Sequence, residues 1–448
     1  MKRYENSVGV FVPELLMPNG NVDLSKWAVV ACDQYTSQPE YWEETERIVG
    51  DAPSTLRLML PEMYLDKPDE ADRIARINAR MDEYVKNGVL ESIGKGFMLL
   101  RRSVAGNRRS GLVVALDLEC YDYKKGSTTL IRATEGTIVE RIPPRLRIRE
   151  NAPLEMPHII VLIDDPEKTV IEPLIDKADE LRKAYDFELM QGGGHIEGWF
   201  INDEAAICKI IGALEALADP EKFKEAYGEN QPSMLFAMGD GNHSFATAKA
   251  GWEKVKAGLD PEEVETHPAR YALVEIENVH DDGIIFEPIH RVIFDINMSV
   301  DAAANWLSDR MARDNGSCEK HWYASREERD RLMENAAGEG RHLLAFCAEG
   351  GYGFFSVGCP SAQLEVGTLQ NALDDMIKEK GIAIDYIHGE DVVYDLGMRP
   401  GNMGFTLPPM HKSALFRTVV FDGALPRKTF SMGEANEKRY YLECKRIK

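Results

Sequence analysis

Met234-Leu235-Phe236-Ala237-Met238-Gly239-Asp240-Gly241-Asn242-His243-Ser244 begins with an apolar run, breaks at two glycines flanking a carboxylate, and continues into small residues from Ala246 to Ala250. A short apolar run of this kind reads as a buried strand, and the glycine-punctuated break as a turn into a helix amino terminus. A strand that hands the chain directly to a helix is the building unit of mixed α/β architectures. The expected class is therefore α/β, of the mixed α+β kind.

The same alternation recurs on both sides. Ala28 to Ala31 reads as a strand and Pro39 to Val49 as an acidic helix carrying Trp42, Thr45 and Ile48 at helical spacing. Between Pro68 and Gly88 a stripe of Ile74, Ile77, Met81 and Val85 predicts a helix, stopped by Asn87-Gly88. Phe97 to Leu100 and Gly111 to Leu118 form an antiparallel strand pair, with turn chemistry at Gly106-Asn107. His158 to Ile163 is a continuous apolar run, the mark of a strand buried on both faces, and a helix is expected over 166–185. The glycines of Gln191 to Gly194 allow a flap or a tight connection, followed by a strand at Glu197 to Ile201 and a helix opened by Asp203. Further on come a strand at Tyr271 to Glu277, helices at 299–311 and 369–378, and a hairpin at Gly350-Gly351. The stretch from Met398 to Lys428, rich in Gly, Pro, Met and basic residues, reads as a long loop, either a lid or ordinary surface. These boundaries suggest three regions: 1–130, 131–295 with the Asp240 turn, and 296–448.

Composition narrows the function classes. With 448 residues, 44% hydrophobic and 29% charged, the chain has ample material for a packed core. A net charge of −22, from 75 acidic against 53 basic residues, repels a phosphate backbone, so nucleic acid is disfavoured as a partner. The seven cysteines are scattered, with no C-x-x-C pair, which fits a reducing compartment. No run approaches the ~18 apolar residues of a membrane span. The expectation is a cytoplasmic protein acting on a small molecule, with room for a homo-oligomer.

At the Asp240 turn, outward-facing backbone N–H groups and the helix dipole favour an anion, and glycines let a ligand approach the backbone. Asp240 suits a hard cation and His243 suits proton transfer near neutral pH. An Asx-type turn with Asn242 or Ser244 capping the helix accounts for the same residues, and both readings stay open. The Gly88 to Lys95 stretch has the wrong spacing for a phosphate loop, and H-E-x-x-H, G-x-S-x-G, EF-hand and G-x-G-x-x-G motifs are absent. Arg132, Arg141, Arg145, Arg147 and His290-Arg291 are candidate anion ligands by bidentate geometry, with structural ion pairing as the alternative.

Several of these segments resemble the bacterial and archaeal domain of unknown function 1015 family, grouped with the ParB/sulfiredoxin-like superfamily. Its Asp-Gly-His-His-Arg element is similar to Asp240-Gly241-Asn242-His243-Ser244, and its His-Glu-x-Thr element to Thr134-Glu135-Gly136-Thr137. Its Pro-Thr-His-Arg element resembles Pro288-Ile289-His290-Arg291, and its terminal Pro-Pro-Lys-Ser-Thr run resembles Pro426-Arg427-Lys428-Thr429-Phe430. Ser244 and Thr134 depart from the pattern. The resemblance implies a ParB/sulfiredoxin-like core with additional α/β subdomains and a nucleotide site, as in relatives that phosphorylate free L-serine with ATP or ADP. On that reading Gly239, Gly241, Asn242, Arg132 and Lys428 hold nucleotide phosphate and Asp240 holds Mg²⁺. Glu135, Asp240 and His243 are catalytic, while His290 and Arg291 meet the substrate. A nucleotide-binding regulatory module and a ParB-like nucleic-acid-associated protein are the alternatives.

Overall fold

The run from His158 to Ile163 supplies the middle of the architecture. In the computed structural model, which describes residues 4–124, 126–156, 158–338 and 340–448, Ile160–Ile163 is a strand buried at every residue. It lies parallel to Tyr271–Asn278, also buried throughout, and antiparallel to Phe236–Asp240. Strands covered on both faces lack the alternation of a half-exposed sheet, which explains their unbroken apolar sequences.

The chain divides into two units, one comprising the residues up to Ile285 together with Met432–Lys448, the other Phe286–Ser431. The first is built on a ten-stranded mixed sheet. From one edge its order is Arg182–Leu189, Gly194–Ile201, Phe97–Val104, Asn107–Asp117, Tyr271–Asn278, Ile160–Ile163, Phe236–Asp240, Ile131–Arg132 and Tyr121–Asp122, with Val10–Phe11 added against Asn107–Asp117. Strands from either side of position 130 are thus neighbours in one sheet. Helix Ile142–Glu150 packs on helix Asn242–Lys256 where Gly251 admits Leu146 and Arg149.

The C-terminal residues close this unit. Tyr440–Tyr441 pairs with Val29–Val30, Lys445–Arg446 pairs with Leu154–Glu155, and the Trp27 indole donates to the Leu442 carbonyl at 3.0 Å. Just before the first of these strands Arg439, 3% exposed at its side chain, donates to Glu275 Oε2 at 2.5 Å and to Glu443 Oε2 at 2.6 Å. Tyr185 donates to the other oxygen of Glu443 at 2.6 Å. Buried ions are tolerated only when paired in this way.

The second unit carries a six-stranded antiparallel sheet in the order Ser317–Tyr323, Gly351–Gly358, Arg341–Ala348, Met403–Thr406, His290–Phe294 and Ala383–Ile387.

Helix 39–49 is found as expected, and the helix expected over 68–88 runs Glu70–Lys86. Asp203 accepts from Ala206 N at 2.8 Å and caps Glu204–Leu217. Two expectations are corrected. The segment 166–185 is not one helix: it holds a four-residue helix at Glu172–Ile175 and then strand Arg182–Leu189, in which Tyr185 and Leu189 are buried on one face. Pro173 and the period-two apolar spacing of Tyr185, Phe187 and Leu189 outweigh the helix-compatible composition. The stretch 398–428 is not a loop: Met403–Thr406 is an inner strand and Ala414–Asp422 a helix. Its lid reading falls with that. Gln191 to Gly194 forms the hairpin turn between Arg182–Leu189 and Gly194–Ile201, with Gln191, Gly192 and Gly194 at positive φ.

Candidate functional site

Phe236–Asp240 and Ile131–Arg132 run parallel side by side, so both release the chain at the same end of the sheet. That end, beyond the carboxyl termini of parallel strands, is where α/β sheets most often bind ligands. Asp240 is the last residue of its strand. Gly241 follows with φ +80°, and a Cβ there would lie 3.2 Å from Ile159 Cα, so the left-handed turn needs glycine. The helix begins at once with Asn242.

Asp240 Oδ1 accepts from Gly241 N at 2.8 Å, and Oδ2 faces Lys438 Nζ at 3.1 Å. Burial pushes the Asp240 carboxyl pKa up, but Lys438, His158 and the Gly241 amide together hold it below the usual carboxylate range. Lys438 is held in place from behind. The buried Arg102 guanidinium donates to the carbonyls of Gly193 (2.8 Å), Asn436 (2.5 Å), Glu437 (3.1 Å) and Lys438. Burial, reinforced by nearby Arg109, depresses the Arg102 pKa to about 9.

The loop after Ile131–Arg132 docks on the turn. Asn242 Oδ1 accepts from Thr134 N at 3.2 Å, its amide donates to Thr134 Oγ1 at 3.3 Å, and that hydroxyl donates to the Met238 carbonyl at 2.6 Å. The Ile138 amide donates to His243 Nε2 at 3.3 Å, which requires that nitrogen to carry a lone pair. Thr134 therefore fastens the loop to the turn, and Glu135 stands half-buried beside it.

On the other side of the helix start, Ser244 Oγ lies 2.9 Å from His158 Nε2, and Tyr441 Oη lies 2.8 Å from His158 Nδ1. Tyr441 Oη also accepts from Cys32 N at 3.3 Å, which ties the ring to the backbone at Cys32. Asp33 Oδ2 stands 4.0 Å from His158 Nε2. Burial, together with the nearby Cys32 thiol and the Asp33 carboxylate, raises the Tyr441 pKa well above its ordinary value.

The first unit thus brings together Gly239, Asp240, Gly241, Asn242, His243 and the Thr134-Glu135 loop. Arg132 is buried, donating to the carbonyls of Thr129 (3.0 Å), Pro232 (2.6 Å) and Ser233 (3.2 Å), and burial lowers its pKa. His290, Arg291 and Lys428 belong to the second unit. There His290 Nδ1 accepts from Leu407 N at 3.1 Å, and burial lowers its pKa. Arg291 is wholly buried and donates to Gln370 Oε1 (3.2 Å) and the Arg427 carbonyl (2.9 Å). Lys428 is exposed, at φ +56°. Asp33, Arg102, His158, Lys438 and Tyr441 were not singled out as site residues by sequence. The one local signal was a histidine at the head of an apolar strand. Among the described residues no cluster of three or more His, Cys, Asp and Glu side chains could hold a metal, and no helix is long and apolar enough to cross a membrane.

The family model described as "Protein of unknown function (DUF1015)" matches residues 16–375. The chain belongs to the DUF1015 family. No curated protein matches this DUF1015 sequence. Among solved structures, a free serine kinase variant in complex with ADP is 10% identical, covering 75% of this chain and 92% of its own, with a TM-score of 0.38. The free serine kinase in complex with AMP is 11% identical over 75% and 92%, with a TM-score of 0.37. SbnI with a C-terminal truncation, from Staphylococcus aureus, is 8% identical over 72% and 82%, with a TM-score of 0.33. The DUF1015 match ends before Lys428, and includes the Thr134, Asp240 and His290 elements.

Proposed function

We propose that this DUF1015 protein is a nucleotide-dependent small-molecule phosphotransferase with a ParB/sulfiredoxin-like core, acting on an alcohol such as free L-serine with ATP or ADP as donor. The observation that carries the reading is the Asp240 turn itself. A left-handed glycine opens a fifteen-residue helix, and the Lys438 ammonium stands 3.1 Å from the carboxylate at its mouth. The first turn of a helix presents N–H groups without intrahelical acceptors, and a fixed cation beside them makes a phosphate site.

Backbone amides of the turn and helix start around Gly239 and Asn242, with His243 and Lys438, would hold the nucleotide phosphates, while the Gly241 amide stays on Asp240. The donor set fits a Mg²⁺ held mainly by phosphate oxygens and water, with Asp240 as its protein carboxylate. That ion would neutralise charge on the transferring phosphoryl group. The acceptor oxygen forms a bond to the terminal phosphorus, the bond to the nucleotide leaving oxygen breaks, and the hydroxyl proton passes to a carboxylate. We assign that carboxylate to Glu135 on the docked loop or to Asp33 beside His158. Positioning and charge stabilisation are the main demands of phosphoryl transfer, and this inventory meets them.

The test is incubation with Mg²⁺, ATP or ADP and a pool of amino acids and hydroxy compounds, with phosphorylated products followed by mass spectrometry. A phosphoserine signal abolished in His243→Ala is the expected result. Nucleotide binding without product across the pool would replace this reading with a regulatory module, and salt-sensitive DNA retention would favour a ParB-like role.

A further inference from the structure

Behind Ser244, within the first unit, lies a cavity of about 150 Å³ that the phosphate chemistry above leaves unused. Its walls are mainly apolar, among them Leu58, Met59, Leu60, Met81, Ile148 and Ala152. Polar groups enter from one side, where Ser244, Thr247, His158 and Tyr441 belong to or adjoin the hydrogen-bond chain already described. The charged side chains on its lining are matched in pairs: Arg145 with Glu62 at 2.5 Å and Arg149 with Glu155 at 2.6 Å.

We infer that this cavity binds the neutral, apolar part of the protein's small-molecule ligand, an aromatic or branched-alkyl group of about six carbons, with that ligand's hydroxyl at His158 and Ser244. Three arguments converge. The volume suits one such group, since a dry apolar cavity of about this size accepts benzene. Both guanidinium groups are already satisfied by carboxylates, so a charged ligand would have to break an ion pair to bind there. Methionines in the wall give it an adaptable surface suited to ring or branched shapes. Ser244 ties the cavity to the turn, because it lines the cavity and also lies in the first turn of the helix, with its hydroxyl on His158.

The inference deepens the phosphotransfer reading and rests on it for the reaction: there the ligand is the acceptor, an alcohol more apolar than serine. For binding it stands alone. Benzyl alcohol is the probe, titrated by ligand-observed NMR against wild type, Ala152→Phe and Met81→Ala, with ADP titrated separately on the wild type. Saturable binding is expected in the wild type, weakened about tenfold or more by Ala152→Phe, which fills the space. Met81→Ala, which enlarges it, should shift preference towards 2-naphthylmethanol. Absence of saturable benzyl alcohol binding, or equal binding by a folded Ala152→Phe together with unchanged preference in Met81→Ala, overturns the inference. If benzyl alcohol binds in this pattern and ADP does not, the cavity assignment is supported and the phosphotransfer reading fails. ADP-dependent phosphorylation of L-serine without benzyl alcohol binding does the reverse.

Discussion

Replacing Lys438 with Met keeps the aliphatic stem and removes the ammonium that faces Asp240. At the observed 3.1 Å separation the attraction in an effective dielectric of about 20 is roughly 5 kcal/mol. Both groups are mostly shielded from solvent, at 13% and 26% side-chain exposure, so desolvation offsets more than half of it. The expected net cost of Lys438→Met is about 2 kcal/mol at neutral pH. The pH dependence follows from the carboxyl pKa. Asp240 titrates below 3.8 in the folded protein, so its contribution is present above that value and is lost as the pH falls through the lower, folded one. Without Lys438, burial dominates and the pKa rises, and the variant begins to relieve its buried charge by protonation before the wild type does. Urea unfolding of both proteins at pH 7 and pH 4 should therefore show a deficit that is larger at pH 7. A deficit below about 0.5 kcal/mol at pH 7, or one of equal size at both values, would refute the claim that this ion pair holds the turn.

Three further outcomes are expected. Gly241→Ala should cost about 1–2 kcal/mol in urea unfolding, through the left-handed φ of +80° and the approach to Ile159, and a fully stable variant would contradict the turn geometry. Tyr441→Phe removes the hydroxyl facing His158 Nδ1 and should cost about 1–2 kcal/mol, with the His158 imidazole resonances shifted in NMR; unchanged stability and unchanged resonances would show the contact to be idle. Glu277 is pushed up to about 8 by burial, against the pull of nearby Arg109 and with the push of Glu275. Its folded pKa lies above the unfolded 4.5, so its contribution is complete below pH 4.5 and declines as the pH rises to 8. Between pH 5 and pH 8 the wild type should lose stability relative to Glu277→Gln, and parallel stability curves would count against a protonated Glu277.

Contiguous stretches carried most of what could be read beforehand. The Asp240 turn declares itself because strand, glycines and helix start lie within a dozen residues. The helices at 39–49 and 70–86 show through their own apolar spacing. Segments whose state depends on distant pairing were misread: Arg182–Leu189 becomes a strand through its hairpin with Gly194–Ile201, and Met403–Thr406 through neighbours far away in sequence. The site shows the same limit. Thr134 and Ser244 prove to be joined to Asn242 and to His158, respectively. Lys438 reaches Asp240 across almost two hundred residues of chain, so local spacing could not announce it.

The return of Met432–Lys448 to the first unit also has a consequence for biosynthesis. Glu275 is translated with the residues up to Ile285, yet Arg439, its buried cation, follows only after the whole of Phe286–Ser431. Until then the nascent first unit lacks the strand that covers Val29–Val30, the lysine that faces Asp240 and the charge that neutralises its interior. The second unit can complete its own sheet earlier, since every strand of that sheet lies within its span. Completion of the unit that carries the Asp240 turn is thereby deferred to the end of translation. A ribosome stalled before codon 438 would leave a product that exposes unpaired strand edges to chaperones and proteases.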